Sequence, residues 1–322
     1  MSEILLMPPK RPPKYNSDIQ EIFPKPTKSG EIGIEIEVEG SGLPIKIPSY
    51  WSTKNEPSLR GESKEYILTK PVKRTSIHNM LQYFSKKFEE SGAKWSDSQR
   101  ASVHVHINCQ GLSMRQIYTF ICLYLVFEDL LTEWAGESRT GNLFCLRAKD
   151  AEYFITQLVN AAKRDEYSIF LDEHRMRYTS INTCALWKFN SLEFRALRST
   201  VDPDIIETWV KFLIAIKDAS IGYKEPREII QAFSRMGAVP FMESVFTPNE
   251  IKSLTLPKYI KDPHLLQRTL WDSVRLIQEI AYAINWKLPD KNLRKKVFGV
   301  KVPPIEPEFN PFNIAQPILR GE

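Results

Sequence analysis

Carboxylates recur on one side of a short segment near the start of the sequence. In residues 33–39, G-I-E-I-E-V-E, glutamates alternate with Ile and Val. Because successive side chains of a β-strand point to opposite faces, Glu35, Glu37 and Glu39 would share one face. Such carboxylates repel one another unless cations or water screen them, and carboxylate oxygens are ligands that Mg²⁺ prefers. The segment therefore indicates either a metal-binding face or the solvated face of an amphipathic strand.

Two of the chain's five histidines lie in a second alternating segment, V-H-V-H-I-N over residues 103–108. His104 and His106 would share one strand face, with Val and Ile on the other. Imidazoles placed in this way can ligate a metal or contact phosphates. The alternative is a pair of polar side chains that face solvent.

A third segment, L-E-F-R-A-L-R-S-T over residues 192–200, puts Glu193 and Arg195 on one strand face. The pair is either a surface salt bridge, which stabilises little, or a metal ligand beside a cation that stabilises phosphoryl charge. A turn at residues 55–61 leads into another predicted strand, which begins near Glu65. Each signal is weak alone, but together they predict one sheet face lined with carboxylates, imidazoles and guanidinium groups.

The elements that would position these side chains show both strand and helix periodicity. Ser113 is a predicted helix N-cap, and Asp202 lies near the start of another predicted helix. We predict strands at residues 31–39, 101–108, 178–182 and 191–197, and helices at residues 76–91, 113–134, 151–162, 203–220, 226–236 and 262–285. The pattern favours an α+β fold in which the strands pair antiparallel and the helices pack on one side of the sheet.

Composition and charge favour a soluble protein of the cytoplasm. The 322 residues are 42% hydrophobic, and the net charge of 44 − 39 = +5 is spread along the chain, so it does not argue for nucleic acid. The four cysteines have no disulfide or zinc spacing, and we expect neither a signal peptide nor a membrane span. Pro-rich residues 1–29 and 289–322 are predicted to be a surface arm and a C-terminal extension around a catalytic domain at residues 30–288.

Several motifs, in this order, resemble the amidoligase family. They are G-x-E-x-E from Gly33, S-L-R…E-Y-I-L-x-x-P over residues 58–71, H-V-H-I from His104, R-Y-x-x-x-N over residues 177–182, and L-E-F-R-x-L-R-S-T-x-D over residues 192–202. The family is commonly encoded by phages and bacteria and is related to glutamine synthetases and γ-glutamylcysteine ligases. The resemblance departs from the family pattern at Glu56, where the family usually has an Asp.

The resemblance implies a glutamine-synthetase-like antiparallel sheet, with ATP and two or three Mg²⁺ or Mn²⁺ ions on its concave face. The implied metal ligands are Glu35, Glu37, Glu65, His104 and Glu193. The implied nucleotide contacts are His106 and Arg195, and the implied catalytic guanidinium groups are Arg195, Arg198 and Arg177. The implied substrate contacts are Arg139 and Asn182, with Asn142 as a further candidate.

The activity implied is an ATP-dependent carboxylate–amine ligase that acts through an acyl phosphate. Its partners would be a nucleotide, an amine, and an amino-acid, peptide or protein carboxylate; an oligomer is compatible with the extended arms. One alternative is a metal hydrolase or oxygenase built on His104 and His106, which would hold one transition metal and no nucleotide. A second alternative is a non-catalytic interaction module that retains the ligase fold.

Overall fold

An antiparallel sheet carries most of the motif residues in the computed structural model, which describes residues 14–23, 30–171 and 177–287. The strands are β1 (Ile32–Ser41), β2 (Trp51–Asn55), β3 (Glu62–Leu68), β4 (Lys94–Ser96), β5 (Ser102–Asn108), β6 (Ile181–Asn182) and β7 (Ser191–Arg198). They lie in the order β2-β3-β1-β5-β7-β6, and β4 pairs with the end of β1. Of the strand predicted at residues 178–182, only the last two residues form a strand, which is β6.

In the part of the chain that the structure describes, α-helices make up the rest of the regular structure, apart from short 3₁₀ turns. They are α1 (Ile19–Ile22), α2 (Ile77–Glu90), α3 (Met114–Ala135), α4 (Glu152–Arg164), α5 (Ala185–Phe189), α6 (Pro203–Ile221), α7 (Pro226–Met236), α8 (Ala238–Glu243), α9 (Pro248–Leu254), α10 (Pro257–Lys261) and α11 (Pro263–Ala281). Ser113 caps α3 in a capping box with Gln116, and the Asp202 side chain caps α6. The predicted N-cap Ser113 and the α+β class are confirmed.

The apolar face of the sheet packs against helices. Phe194 of β7 contacts Phe120 and Tyr124 of α3, with ring centroids 5.6 and 4.8 Å apart. Tyr66 of β3 packs against Phe84 of α2 at 5.3 Å. Burial of these rings stabilises the sheet and leaves the opposite, polar face free to form a site.

The strand register brings the motif residues side by side on that polar face. Glu35 of β1 lies opposite His104 of β5, and Glu37 lies opposite Glu65 of β3. In the same way His106 lies opposite Glu193 of β7. Side chains directly opposite on one face are within contact distance, so segments far apart in sequence build one site.

The first part of the chain corrects one expectation. We predicted all of residues 1–29 as a surface arm, but residues 14–23 pack inward, with Tyr15, Ile19 and Phe23 buried. These apolar side chains recur every four residues, and burying them stabilises more than leaving them in water. Residues 1–13 and 24–29, and the predicted C-terminal extension from residue 289, lie outside the described residues.

The chain divides into two units by its internal contacts. Residues 14–286 form one compact unit, whereas the other, residues 1–13 and 287–322, lies almost wholly outside the described residues. Among the helices that the structure describes, none is both long and apolar enough to cross a membrane.

Candidate active site

A cleft with a volume of about 350 Å³ opens on the polar face of the sheet. Strands β1, β3, β5, β6 and β7 each contribute side chains to it. The sequence-predicted site residues that line it are Glu35, Glu37, Glu65, His104, His106, Arg177, Asn182, Glu193 and Arg195. The structure therefore brings together all five predicted metal ligands, along with most of the other residues predicted for the site.

Glu35, His106 and Glu193 form the first group of potential metal ligands, and their ligand atoms lie within 4.8 Å of one another. His106 Nε2 is 3.5 Å from Glu35 Oε1, and it is buried with no hydrogen-bond partner among the described residues. The other ring nitrogen, Nδ1, lies 3.2 Å from Ser191 Oγ. A buried nitrogen without a partner beside two carboxylates fits a cation ligand, since an unsatisfied polar group is otherwise costly.

Glu37, Glu56 and Glu65 form a second group of potential metal ligands, whose ligand atoms also lie within 4.8 Å of one another. Glu37 Oε2 accepts hydrogen bonds of 3.0 Å from both the backbone N–H and the hydroxyl of Ser102. Glu65 is buried, and its Oε2 forms an ion pair with the exposed ammonium of Lys54. Neither Glu56 nor Lys54 was predicted as a site residue, although Glu56 stands nearest to the Asp that the resemblance leads one to expect.

His104 lies between the two groups. Its Nδ1 is 3.3 Å from Glu35 Oε2 and 3.5 Å from Glu193 Oε1, and it also forms a potential ligand group with Glu35 and Glu65. Its Nε2 is 2.7 Å from the Ser102 hydroxyl. The resemblance implied that His104 is a metal ligand and that His106 contacts the nucleotide, but the buried ring nitrogen without a hydrogen bond belongs to His106.

Two neighbours hold the Glu193 carboxylate in place. Asn182 Nδ2 donates to Glu193 Oε2 at 2.8 Å, and Asn182 Oδ1 accepts from the backbone N–H of Cys184 at 3.0 Å. Arg195 Nη1 donates to the other oxygen, Oε1. Asn182, predicted to contact substrate, thus uses both ends of its amide within the protein and orients Glu193. Arg177 is exposed, lines the cleft and stacks on Tyr178 at 4.8 Å.

Opposite charges favour the ionised form of two carboxylates of the cleft, Glu35 and Glu193. Burial raises the pKa of Glu35, but its close contacts with the imidazoles of His104 and His106 outweigh burial and hold that pKa far below its usual range. Burial likewise raises the pKa of Glu193, and the charges of Arg195 and His106 lower it further than burial raises it. For His106, burial lowers the pKa, while Glu35 and Glu193 raise it by more. At neutral pH the cleft therefore presents fixed negative charge beside a guanidinium.

Arg139 is a correction to the predicted substrate contacts. It is buried behind the cleft, and its guanidinium donates to the backbone carbonyls of Arg195 at 2.9 Å and Ala196 at 3.2 Å. Further bonds reach the carbonyls of Gln99 and Ala101. Because every donor nitrogen of the fork is used, Arg139 holds β7 to the loop before β5 and cannot bind a substrate here. The nearby candidate, Asn142, is also buried and donates to Gln99 and Ser138 carbonyls.

Arg198, predicted as catalytic, also lies away from the cleft. Its Nη1 donates to the Ala135 carbonyl at 2.9 Å. Its side chain crosses Gly136, where an added Cβ would lie 3.0 Å from Arg198 Cδ. It therefore braces the end of α3, and Arg195 is the guanidinium of the L-E-F-R-A-L-R motif that lines the cleft.

A less polar cavity, with a volume of about 250 Å³, adjoins the cleft. The two cavities share Glu35, His106 and Phe189. Its walls include Ile67 and Pro71 together with a few polar groups. Gly33 has no side chain to fill the space beside His106. A Cβ added to Gly33 would lie only 3.3 Å from the Cβ of His106. The site thus has two adjoining parts: the cleft, which is a highly charged compartment, and this partly apolar cavity.

A buried acid braces the sheet behind the cleft. Glu128 of α3 accepts hydrogen bonds from the Ser180 hydroxyl and, at 2.8 Å, from the Ala148 backbone N–H. Ser180 in turn accepts the Arg195 backbone N–H at 2.8 Å through its carbonyl. The sequence showed Glu128 only as an interruption of an apolar run. Burial, the largest cause, raises the pKa of Glu128 to about 7.

We expect this acid to make the protein less stable as pH rises. Its folded-state pKa of about 7 exceeds the usual 4.5, so its favourable contribution is full below about pH 4.5 and is lost as pH rises through 7. The difference corresponds to about 3 kcal/mol. In Glu128→Gln the amide oxygen can accept from the Ala148 N–H, and the NH₂ group can donate to the Ser180 hydroxyl oxygen. The substitution should remove that part of the pH dependence in denaturant unfolding at pH 5 and pH 8. An unchanged slope, or the same change in the exposed control Glu137→Gln, would refute this account.

The fold and the site define a mixed helix–sheet protein with a charged cleft on one sheet face. Within this class, residues 67–217 match the family described as "Putative amidoligase enzyme". The match confirms the resemblance to the amidoligase family and indicates a ligase. The matched part carries His104, His106, Glu193 and Arg195, whereas β1 precedes it. A search among curated proteins found no match.

Proposed function

We propose that this protein is an ATP- and Mg²⁺-dependent carboxylate–amine ligase, with a glutamine-synthetase-like sheet whose cleft is the active site. The observation that carries the proposal is the pair of ligand groups, Glu35–His106–Glu193 and Glu37–Glu56–Glu65, next to each other on one face. Two cation positions beside Arg195 suit a reaction in which negative charge develops on phosphoryl oxygens. The family match supports the ligase class.

The residues of the cleft fit divalent cations. The buried His106 Nε2 accepts no hydrogen bond from any described residue. Glu65 Oε2 is paired with the exposed ammonium of Lys54, which a bound cation could replace. Carboxylate oxygens suit Mg²⁺, and an imidazole beside them also admits Mn²⁺. When bound, such cations would neutralise the charge of the nucleotide phosphates. They would be held by Glu35, His106 and Glu193 in one position and by Glu37, Glu56 and Glu65 in the other, with His104 between them.

The chemistry we propose activates a carboxylate, whose own oxygen is a poor leaving group. The carboxylate oxygen attacks the γ-phosphorus of ATP, the bond to the β-phosphate bridging oxygen breaks, and ADP leaves. The amine nitrogen then attacks the acyl carbon, the carbon–oxygen bond to phosphate breaks, and the amide, inorganic phosphate and a proton result. Arg195, whose buried Nε has no described hydrogen-bond partner, would stabilise the transferring phosphoryl group from within the cleft.

Other residues would position these partners. The partly apolar cavity next to His106 would take the nucleobase, and the phosphates would then extend towards the charged compartment. Arg177, at the mouth of the cleft and stacked on Tyr178, would attract the carboxylate substrate, because the glutamates alone would repel an anion. Asn182 would act on the reaction through Glu193, which it orients.

Hydroxylamine tests the proposal without knowledge of the natural amine. It would attack an acyl phosphate to give a hydroxamate, so we would incubate the protein with ATP, Mg²⁺, hydroxylamine and a panel of amino acids and peptides. We expect hydroxamate and ADP to form in equal amounts with the correct carboxylate. ADP formed at the same rate without any carboxylate would instead indicate a nucleotide hydrolase. Failure of the folded protein to bind ATP would favour the non-catalytic module.

Substitution of Lys54 should strengthen cation binding, whereas most substitutions in the site should weaken it. Its ammonium pairs with Glu65 and therefore competes with a cation bound to the second ligand group. Lys54→Met should tighten Mn²⁺ binding by about two- to tenfold, a modest effect because the lysine is half exposed. The titration of free Mn²⁺ by electron paramagnetic resonance measures this change directly.

The matched control for this prediction is Lys64→Met on the neighbouring strand. Lys64 adjoins Glu65 in sequence, but it donates to Asn55 Oδ1 at 2.6 Å, and successive strand residues point to opposite faces. The control should leave Mn²⁺ affinity unchanged. Weaker Mn²⁺ binding by Lys54→Met would show that the lysine supports the ligand group rather than competing with the cation.

A further inference from the structure

Phe189 is an exposed aromatic residue at the junction of the two cavities. It ends α5, is 51% exposed, and lines both the charged compartment and the partly apolar one. Its ring meets the His106 ring edge to face, with centroids 5.6 Å apart and planes at 89°. A large apolar ring that is half exposed beside a charged cleft offers a face on which a planar ligand group can stack.

The backbone holds this ring in a fixed place. Asn190 is the C-cap residue that follows Phe189, and its backbone has the left-handed conformation, with φ 52°. Its N–H donates to the Leu186 carbonyl at 3.0 Å. The buried Asn190 side chain donates to the Phe23 carbonyl at 2.9 Å, and the Asn190 carbonyl accepts from the Cys109 N–H at 2.8 Å. The inward-packed start of the chain thus helps to fix the turn that presents Phe189.

We infer that Phe189 is the stacking platform for the nucleobase of the bound nucleotide. This inference rests on the proposed function, because it takes the nucleotide as ligand and assigns its base to a particular side chain. With the base against Phe189 in the partly apolar cavity, the phosphates extend past His106 into the charged compartment. Stacking uses the ring face and needs no hydrogen bond, so Phe189 is a positioning residue for the nucleotide.

The test compares two ligands that differ in the base. We would measure the binding of ATP and of inorganic tripolyphosphate, both with Mg²⁺, to the wild-type protein and to Phe189→Ala and Phe189→Leu by calorimetry. A lost base stack should weaken ATP binding by about 5- to 150-fold in both variants and leave tripolyphosphate binding unchanged. Phe189→Trp should bind ATP within about twofold of wild type, since it retains a stacking ring.

The outcomes separate this inference from the proposed function. Wild-type ATP affinity in Phe189→Leu would overturn the platform while leaving the ligase proposal intact. Equal loss of ATP and tripolyphosphate would also overturn it, because Phe189 would then act only by holding His106. A wild-type protein that binds no ATP would overturn the proposed function and the platform with it. Ile45→Ala, which changes an exposed side chain on the loop before β2, is the control and should change neither affinity.

Discussion

Glu193→Gln should lower ligase turnover by about 10²- to 10³-fold while leaving the fold intact. Glu193 offers one carboxylate oxygen to Asn182 Nδ2 and the other to Arg195 Nη1. A glutamine amide has one oxygen and one NH₂ group, so one of these donors would face another donor. The substitution also removes a negative charge from the first ligand group, which should weaken cation binding. The hydroxamate assay and a Mn²⁺ titration measure the two effects.

The control for this prediction is Glu90→Gln, which changes an exposed glutamate at the end of α2 and should retain full turnover. The thermal unfolding midpoint of Glu193→Gln should stay within about 5 °C of wild type, which corresponds to a small change in stability. Normal turnover in a folded Glu193→Gln protein would remove Glu193 from the active site.

Arg139→Met should destabilise the fold by about 3 kcal/mol or more. Its buried guanidinium donates to backbone carbonyls on both β7 and the loop before β5, and methionine would leave these acceptors without a donor. Each buried acceptor left unsatisfied costs about 1–3 kcal/mol. Denaturant unfolding, followed by circular dichroism, measures the loss.

Arg177→Met provides the opposite signature. Arg177 is exposed at the mouth of the cleft, so its loss should change stability by less than about 0.5 kcal/mol while weakening the use of the carboxylate substrate. If Arg139→Met instead kept wild-type stability and lost only substrate affinity, the substrate-binding role expected from sequence would be right and the structural role wrong.

Strand alternation was sufficient to predict which side chains share a face, because its period of two leaves little choice. Glu35 and Glu37, His104 and His106, and Glu193 and Arg195 all lie on the polar face as expected. The order and register of the strands could not be predicted from these local patterns. Hydrogen bonds between segments far apart in sequence set Glu37 opposite Glu65 and His106 opposite Glu193.

The expectations that proved wrong concern side chains whose type can be read from the sequence but whose direction in the fold cannot. Arg198 belongs to a quoted motif and Arg139 was implied as a substrate contact, but both guanidinium groups bond to buried backbone carbonyls. Only the tertiary fold creates the need to satisfy those carbonyls. The strand β2 was missed because Trp51 is its only fully buried side chain, and with β2 the position of Lys54 was missed. Pro-rich composition concealed the inward packing of Ile19 and Phe23, whose spacing was the available signal.

The most direct test of the central claim is a calorimetric titration of ATP into the wild-type protein, once with Mg²⁺ and once with a chelator. The account predicts saturable binding that requires Mg²⁺, since the cleft glutamates would otherwise repel the phosphates. Binding of equal strength in the chelator, or none in a folded protein with Mg²⁺, would contradict a cation-dependent nucleotide site on this sheet face.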